Sequence, residues 1–191
     1  IDPAYTNYIS FAERIGRKTV TVKRHLGEDG KFSLPELDKI EETIKEHNPG
    51  ALLVIPYDNP TGQYFDYPVL KELAKLCVKY NMWMVSDEAY RELYYDEKAD
   101  LVSIWGLTDE DVPGIEGRRI SIETASKVWN ACGLRIGAII TDNAEYHTQS
   151  VAEYTANLCA NVIGQYIFGA LAHESKESIA AWCKGIREYY K

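Results

Sequence analysis

The run Ala51-Leu52-Leu53-Val54-Ile55 limits the fold more than any other part of this chain. A strand with one wet face alternates apolar and polar residues, and this run has no polar member. The run therefore suits a strand covered on both faces, as in a parallel sheet. Four other short runs bounded by turn residues read as strands, so the expected set is 19–23, 51–56, 82–86, 119–123 and 136–141. Helical patterns lie between and after them. Ser33-Leu34-Pro35-Glu36 has the form of a capping box ahead of a stripe of Leu37, Ile40 and Ile44. A second stripe (Val69, Leu70, Leu73, Leu76, Cys77, Tyr80) starts after Pro68, and residues 144–171 and 179–190 are also expected to be helical. Strands alternating with helices predict an α/β, three-layer fold with a mostly parallel sheet flanked by helices. Ligands in such sheets bind beyond the carboxyl ends of the strands, so the polar clusters there are where chemistry is expected.

Composition narrows the classes. The 191 residues are 46% hydrophobic and 26% charged, ordinary for a globular chain with one sizeable core. The balance of 21 basic and 29 acidic residues leaves a net charge of −8 with no clustered basic face, which argues against a nucleic-acid partner. No apolar run approaches the ~20 residues of a membrane span, and no signal segment is evident. The four cysteines are far apart in sequence and are expected to be reduced, mostly buried thiols, so a cytoplasmic location is expected and a metal site is not. Position 1 is Ile, and the chain is expected to be part of something longer.

Three clusters follow expected strands. Asn59-Pro60-Thr61-Gly62 follows the first apolar run, Asp87-Glu88-Ala89-Tyr90 follows 82–86, and Thr124-Ala125-Ser126-Lys127 follows 119–123, with Arg135 eight residues beyond Lys127. Singly, each has a plain reading: a turn, a helix cap, a solvated lysine with an ion-paired arginine. Together and in this order they resemble the signature of fold-type I pyridoxal-phosphate (PLP) enzymes, specifically the aspartate-aminotransferase branch of class I/II. The resemblance runs from Pro3-Ala4-Tyr5 to the last helix.

The resemblance implies a role for each group. Lys127 would hold the PLP aldehyde as a Schiff base and then shuttle a proton as general base and acid. Asp87 would keep the ring nitrogen protonated; at ~4 Å and an effective dielectric near 20, that pairing is worth ~4 kcal/mol, about three pKa units. Tyr90 and Asn59 would hydrogen-bond the phenolate oxygen. Arg135, Thr124 and Ser126 would take the phosphate, with Thr124 standing where the family usually has Ser. Tyr5 matches the aromatic ring that stacks on the cofactor, although a packing role on a helix fits it equally well. The implied reaction moves an amino group between an amino acid and a 2-oxo acid. Residues 1–191 would be part of the large, PLP-binding domain of a homodimer. The upstream phosphate loop and the small domain with its carboxylate-clamping arginine are expected to lie outside this chain, so the chain alone is expected to be inactive. Arg118, Arg119 and Arg187 are expected at the surface or in packing. A C–S lyase or synthase on the same fold, and a non-catalytic effector domain, are the alternatives.

Overall fold

The computed structural model describes residues 1–96 and 98–191. Its sheet has four strands in sequence order: β1 (Ala51–Val54), β2 (Trp83–Asp87), β3 (Arg119–Thr124) and β4 (Gly137–Thr141). The first three are parallel, with Ala51 opposite Trp83 and Ser86 opposite Ser121, while β4 returns antiparallel with Gly137 opposite Thr124. The carboxyl ends of β1, β2 and β3 therefore share one edge. The expected α/β architecture and mostly parallel sheet are what the chain forms.

Residues 19–23 do not join the sheet. Lys23 makes a single parallel bridge to Asp2, framed by Asp2 N donating to Val22 O and Arg24 N donating to Asp2 O, each at 2.8 Å. The next residue is Pro3, which has no N–H to continue a ladder. The expected capping box also fails. Helix α2 (Leu37–His47) begins after Glu36, and Ser33 Oγ accepts from His25 N at 3.0 Å instead. Leu34 precedes a proline, which disfavours helical backbone there and pushes the start downstream.

Helix α1 (Asn7–Arg14) precedes α2 and has no buried residue. Helix α3 (Tyr67–Lys79) links β1 to β2, capped by Asp66, whose side chain accepts from Val69 N at 3.0 Å, with Pro68 in the first turn. Residues 144–171 form two helices and a short 3-10 turn, not one continuous helix. Helix α4 (Ala144–Ala156) stops before Leu158, whose φ of 74° is left-handed, and Asn161 then caps α5 (Val162–Gly169) through Gly164 N. Helix α6 (Lys176–Tyr190) is capped by Ser175.

The main core lies between α2, α3 and the Met84 face of β2, where Ile40, Ile44, Leu70, Leu73, Ala74 and Cys77 are buried. Burial there pushes the Cys77 thiol up to about 12. On the other face, Trp83 meets Tyr146 of α4 with ring centroids 5.2 Å apart. Helices thus lie on both faces, although Ile139 and Ile140 of β4 stay exposed. Cys77 and Cys183 are buried as expected, whereas Cys132 and Cys159 are exposed, and all four are free thiols. Among the described residues no helix is long and apolar enough to cross a membrane, and no cluster of metal-ligating side chains occurs.

Among the described residues the β2–β3 connection contains no α-helix, but it is well packed, with Ile104, Leu107, Val112 and Ile115 buried. Glu88 organises it: its buried Oε1 accepts from Ser86 Oγ and Ile104 N, both at 2.9 Å. Arg91 bridges Glu88 to Glu123, 2.9 Å from the latter. Desolvation pushes the Glu88 carboxyl above its ordinary value.

Two outcomes are expected. Leu73 is fully buried, so Leu73→Ala should cost about 2–5 kcal/mol in denaturant unfolding. The raised carboxyl of Glu88 means the folded chain holds that proton more tightly than the unfolded chain does. This component of stability is full below the ordinary value of 4.5 and is lost as pH rises towards the raised value. Glu88→Gln should remove that fall, which unfolding curves recorded at several pH values would show.

Candidate active site

The shared carboxyl edge gathers the three clusters. β1 leads through buried Ile55, Pro56, Tyr57 and Asp58 to Asn59; β2 ends on Asp87; β3 ends on Thr124, from which the chain turns through Ala125 and Ser126 to Lys127. A cleft of about 1030 Å³ opens at this edge, and Asn59, Tyr64, Tyr90, Ser126, Lys127 and Tyr190 are in its walls. A separate groove of about 390 Å³ between Trp129, Phe168 and Trp182 carries none of the predicted groups.

Lys127 is exposed at the cleft, and its Nζ lies 5.6 Å from the centre of the Tyr90 ring, a cation–π distance. Among the described residues no carboxylate pairs with it, so its amine is available for chemistry. The turn beneath it is held by Ala125 N donating to Ile136 O at 3.0 Å and by Asn130 N donating to Lys127 O at 3.0 Å. Gly137 permits this arrangement, because a Cβ there would stand 2.7 Å from Glu123 O across the β3–β4 pair.

Asp87 is buried and held from two sides. Its Oδ1 accepts from Ala89 N at 3.0 Å, and its Oδ2 accepts from Tyr8 Oη at 2.5 Å. Burial, then the neighbouring Asp87 carboxylate, pushes the Tyr8 phenol well above its usual range, so Tyr8 stays a donor. A carboxylate oxygen has two acceptor positions, so Asp87 can still receive a further N–H. Tyr8 was missed in the sequence, because its contact with Asp87, 79 positions away, has no local signal. Tyr5 itself is 42% exposed, meets the Tyr8 ring edge-on with centroids 6.0 Å apart, and accepts from Asn7 Nδ2 at 2.7 Å.

Thr124 and Ser126 form one hydroxyl pair, with Thr124 Oγ1 2.8 Å from Ser126 Oγ. Arg135 does not line the cleft. It is exposed in left-handed backbone (φ 55°), and its Nη1 donates to Cys132 O at 2.8 Å. Of the eight predicted site residues, the cleft wall thus gathers Asn59, Tyr90, Ser126 and Lys127, while Asp87, Thr124, Arg135 and Tyr5 lie outside it. Arg119 is buried against Asp142 and Leu107 O, and Arg187 covers the Tyr94 ring at 4.4 Å. Both serve packing, as expected.

Against known proteins, a 2-aminoadipate transaminase from Thermus thermophilus is 31% identical over 99% of this chain and 44% of its own length. Two solved structures show the same fold. N-succinyldiaminopimelate aminotransferase from Mycobacterium tuberculosis superposes with a TM-score of 0.81 at 22% identity, covering 98% of this chain and 46% of that one. The PLP-bound C-S lyase from Staphylococcus hominis does so with a TM-score of 0.81 at 18% identity, covering 98% of this chain and 44% of that one. The chain spans under half the length of each of these proteins. The pattern of the family described as aminotransferase class I and II matches residues 1–191, the entire sequence, and the chain belongs to that family.

Proposed function

We propose that this chain is the cofactor-holding part of a PLP-dependent aminotransferase that moves an amino group between an amino acid and a 2-oxo acid. The observation that carries the reading is the amine of Lys127, unpaired among the described residues, in the same cleft as Asn59 and Tyr90, with the buried carboxylate of Asp87 at the end of the neighbouring strand β2. The donor set fits PLP. An amine suits its aldehyde, a buried carboxylate suits its ring nitrogen, and a hydroxyl pair suits its phosphate. When bound, PLP supplies an electron sink for the electrons left at the substrate Cα.

The chain's own residues would do the rest. Lys127 anchors the cofactor and then carries the proton removed from Cα. Asp87, oriented by Tyr8 and Ala89 N, holds the proton on the ring nitrogen. Tyr90 and Asn59 donate to the phenolate oxygen and favour its charged form. Thr124, Ser126 and Arg135 receive the phosphate, and Tyr5 covers the ring face. The reading includes residues 1–191 as part of the large domain, a homodimeric assembly and a cytoplasmic location.

Three outcomes test it in the protein that carries this chain. Borohydride treatment after loading with PLP should fix the cofactor on the Lys127 peptide, and Lys127→Ala should lose the visible band and nearly all turnover. Label on Lys98 or Lys184 instead would overturn the assignment. Asp87→Ala should retain cofactor but slow exchange of the substrate Cα hydrogen with solvent far more than it weakens substrate binding. Arg135→Lys should weaken PLP binding about tenfold, because a point charge cannot reproduce a forked grip on phosphate. Pyruvate and ammonia released without a 2-oxo acid acceptor would indicate the lyase chemistry instead.

A further inference from the structure

Arg24 is a buried cation with no part in the chemistry above. Its side chain is 1% exposed, that of Asp58 is 4% exposed, and Nη2 stands 2.5 Å from Asp58 Oδ2. The same Nη2 donates to Pro3 O at 2.8 Å, and Thr61 Oγ1 donates to the same Asp58 oxygen. The rings of Phe32 and Phe65 lie 5.6 and 5.5 Å from the guanidinium carbon. Among the described residues Nε and Nη1 have no hydrogen-bond partner.

Stability alone gives no reason for this arrangement. Two charges taken out of water lose hydration that their attraction only partly restores, and unpaired buried N–H groups add to the cost. An apolar pair of similar volume would fill the space between two phenylalanines as well or better. What an apolar pair lacks is direction. Asp58 immediately precedes Asn59, and its backbone closes the turn, with Asp58 N donating to Gln63 O and Gly62 N donating to Asp58 O, both at 2.8 Å. Pro3 stands two residues before Tyr5 and leads into α1, whose Tyr8 holds Asp87. One guanidinium therefore joins two segments that bring groups to the proposed cofactor site from opposite ends of the sequence.

We infer that Arg24 and Asp58 are a positioning pair that sets the direction of the Asn59 side chain and seats the Tyr5–Tyr8 segment against the cofactor. The inference rests on the PLP-binding reading above. Arg24 does not line the cleft and acts through these neighbours.

The test uses the PLP-loaded protein that carries this chain and reads the pH midpoint at which the bound cofactor's visible band changes. Because Asn59 favours the charged phenolate oxygen, misdirecting it moves the midpoint up. The double variant Arg24→Met/Asp58→Leu removes both charges and keeps the volume. Its melting temperature should stay close to that of the parent, while the midpoint rises by about one pH unit, the equivalent of one hydrogen bond to a charged group. Its affinity for PLP should fall about tenfold. Thr61→Val, which removes only the hydroxyl on Asp58, should shift the midpoint the same way by less. If the double variant does not fold, Thr61→Val decides, and an unshifted midpoint overturns the inference. Asn59→Ala is the reference. A folded double variant with unchanged midpoint and affinity, alongside a shifted Asn59→Ala, overturns the positioning role and leaves the cofactor reading standing. An unshifted Asn59→Ala overturns the Asn59 assignment and this inference with it, whereas absence of label on Lys127 overturns the cofactor reading itself.

Discussion

Parallel hydrogen bonding of β1, β2 and β3 sends three carboxyl ends to one edge, and the positions of the other functional groups follow from that alignment. A parallel pair cannot be closed by a tight turn, so each connection must travel back along the sheet and cover a face as it goes. Helix α3 does this between β1 and β2. Between β2 and β3 the cover is an irregular segment that buries Ile104, Leu107 and Ile115. Asn59, Asp87 and Lys127, far apart in sequence, come to one edge of the sheet because β1, β2 and β3 point the same way.

Covering a sheet with irregular chain brings backbone and charged groups out of water, and buried hydrogen bonds balance that cost. Glu88 supplies the acceptor that Ile104 N needs, and Arg91 reaches from Glu88 to Glu123 on the next strand. Arg119 ties Leu107 O to Asp142 at the far end of β3. Tyr57 Oη accepts from Val102 N at 2.8 Å, anchoring the segment that runs beside the cleft. These contacts make loops behave as fixed walls, which a site built from strand ends requires.

The proposed site divides by solvation. Asp87 is buried and bonded on both oxygens, an arrangement suited to holding one proton in one place. Lys127 and Arg135 are exposed, and neither is paired with a carboxylate among the described residues. In the proposed function Lys127 is displaced and returns and Arg135 accepts a phosphate, and both roles need such freedom. The Thr124–Ser126 hydroxyl pair lies between the two conditions, ordered by its own hydrogen bond but half-buried.

The sequence by itself determined four of the five expected strands, the helix stripes and the order of the three clusters, because these depend on local periodicity and on neighbours along the chain. The apolar run at 51–55 suited a strand covered on both faces, although β1 lies at the sheet edge with Ala51 exposed, and Pro68 marked the start of the α3 stripe. Tertiary contacts decided the rest. Residues 19–23 have the composition of a strand but meet only Asp2, and Pro3 ends that pairing. Ser33 has the spacing of a cap, but its hydroxyl goes to His25 N. Tyr8 and Arg24 carried no local signal of importance, since a tyrosine on a short helix and an arginine after a lysine are ordinary. Their weight comes from Asp87, 79 positions away from Tyr8, and from Asp58, 34 positions away from Arg24. Hydrogen bonds over such separations exist only once the sheet has brought the segments together, and no pattern in the linear chain encodes them.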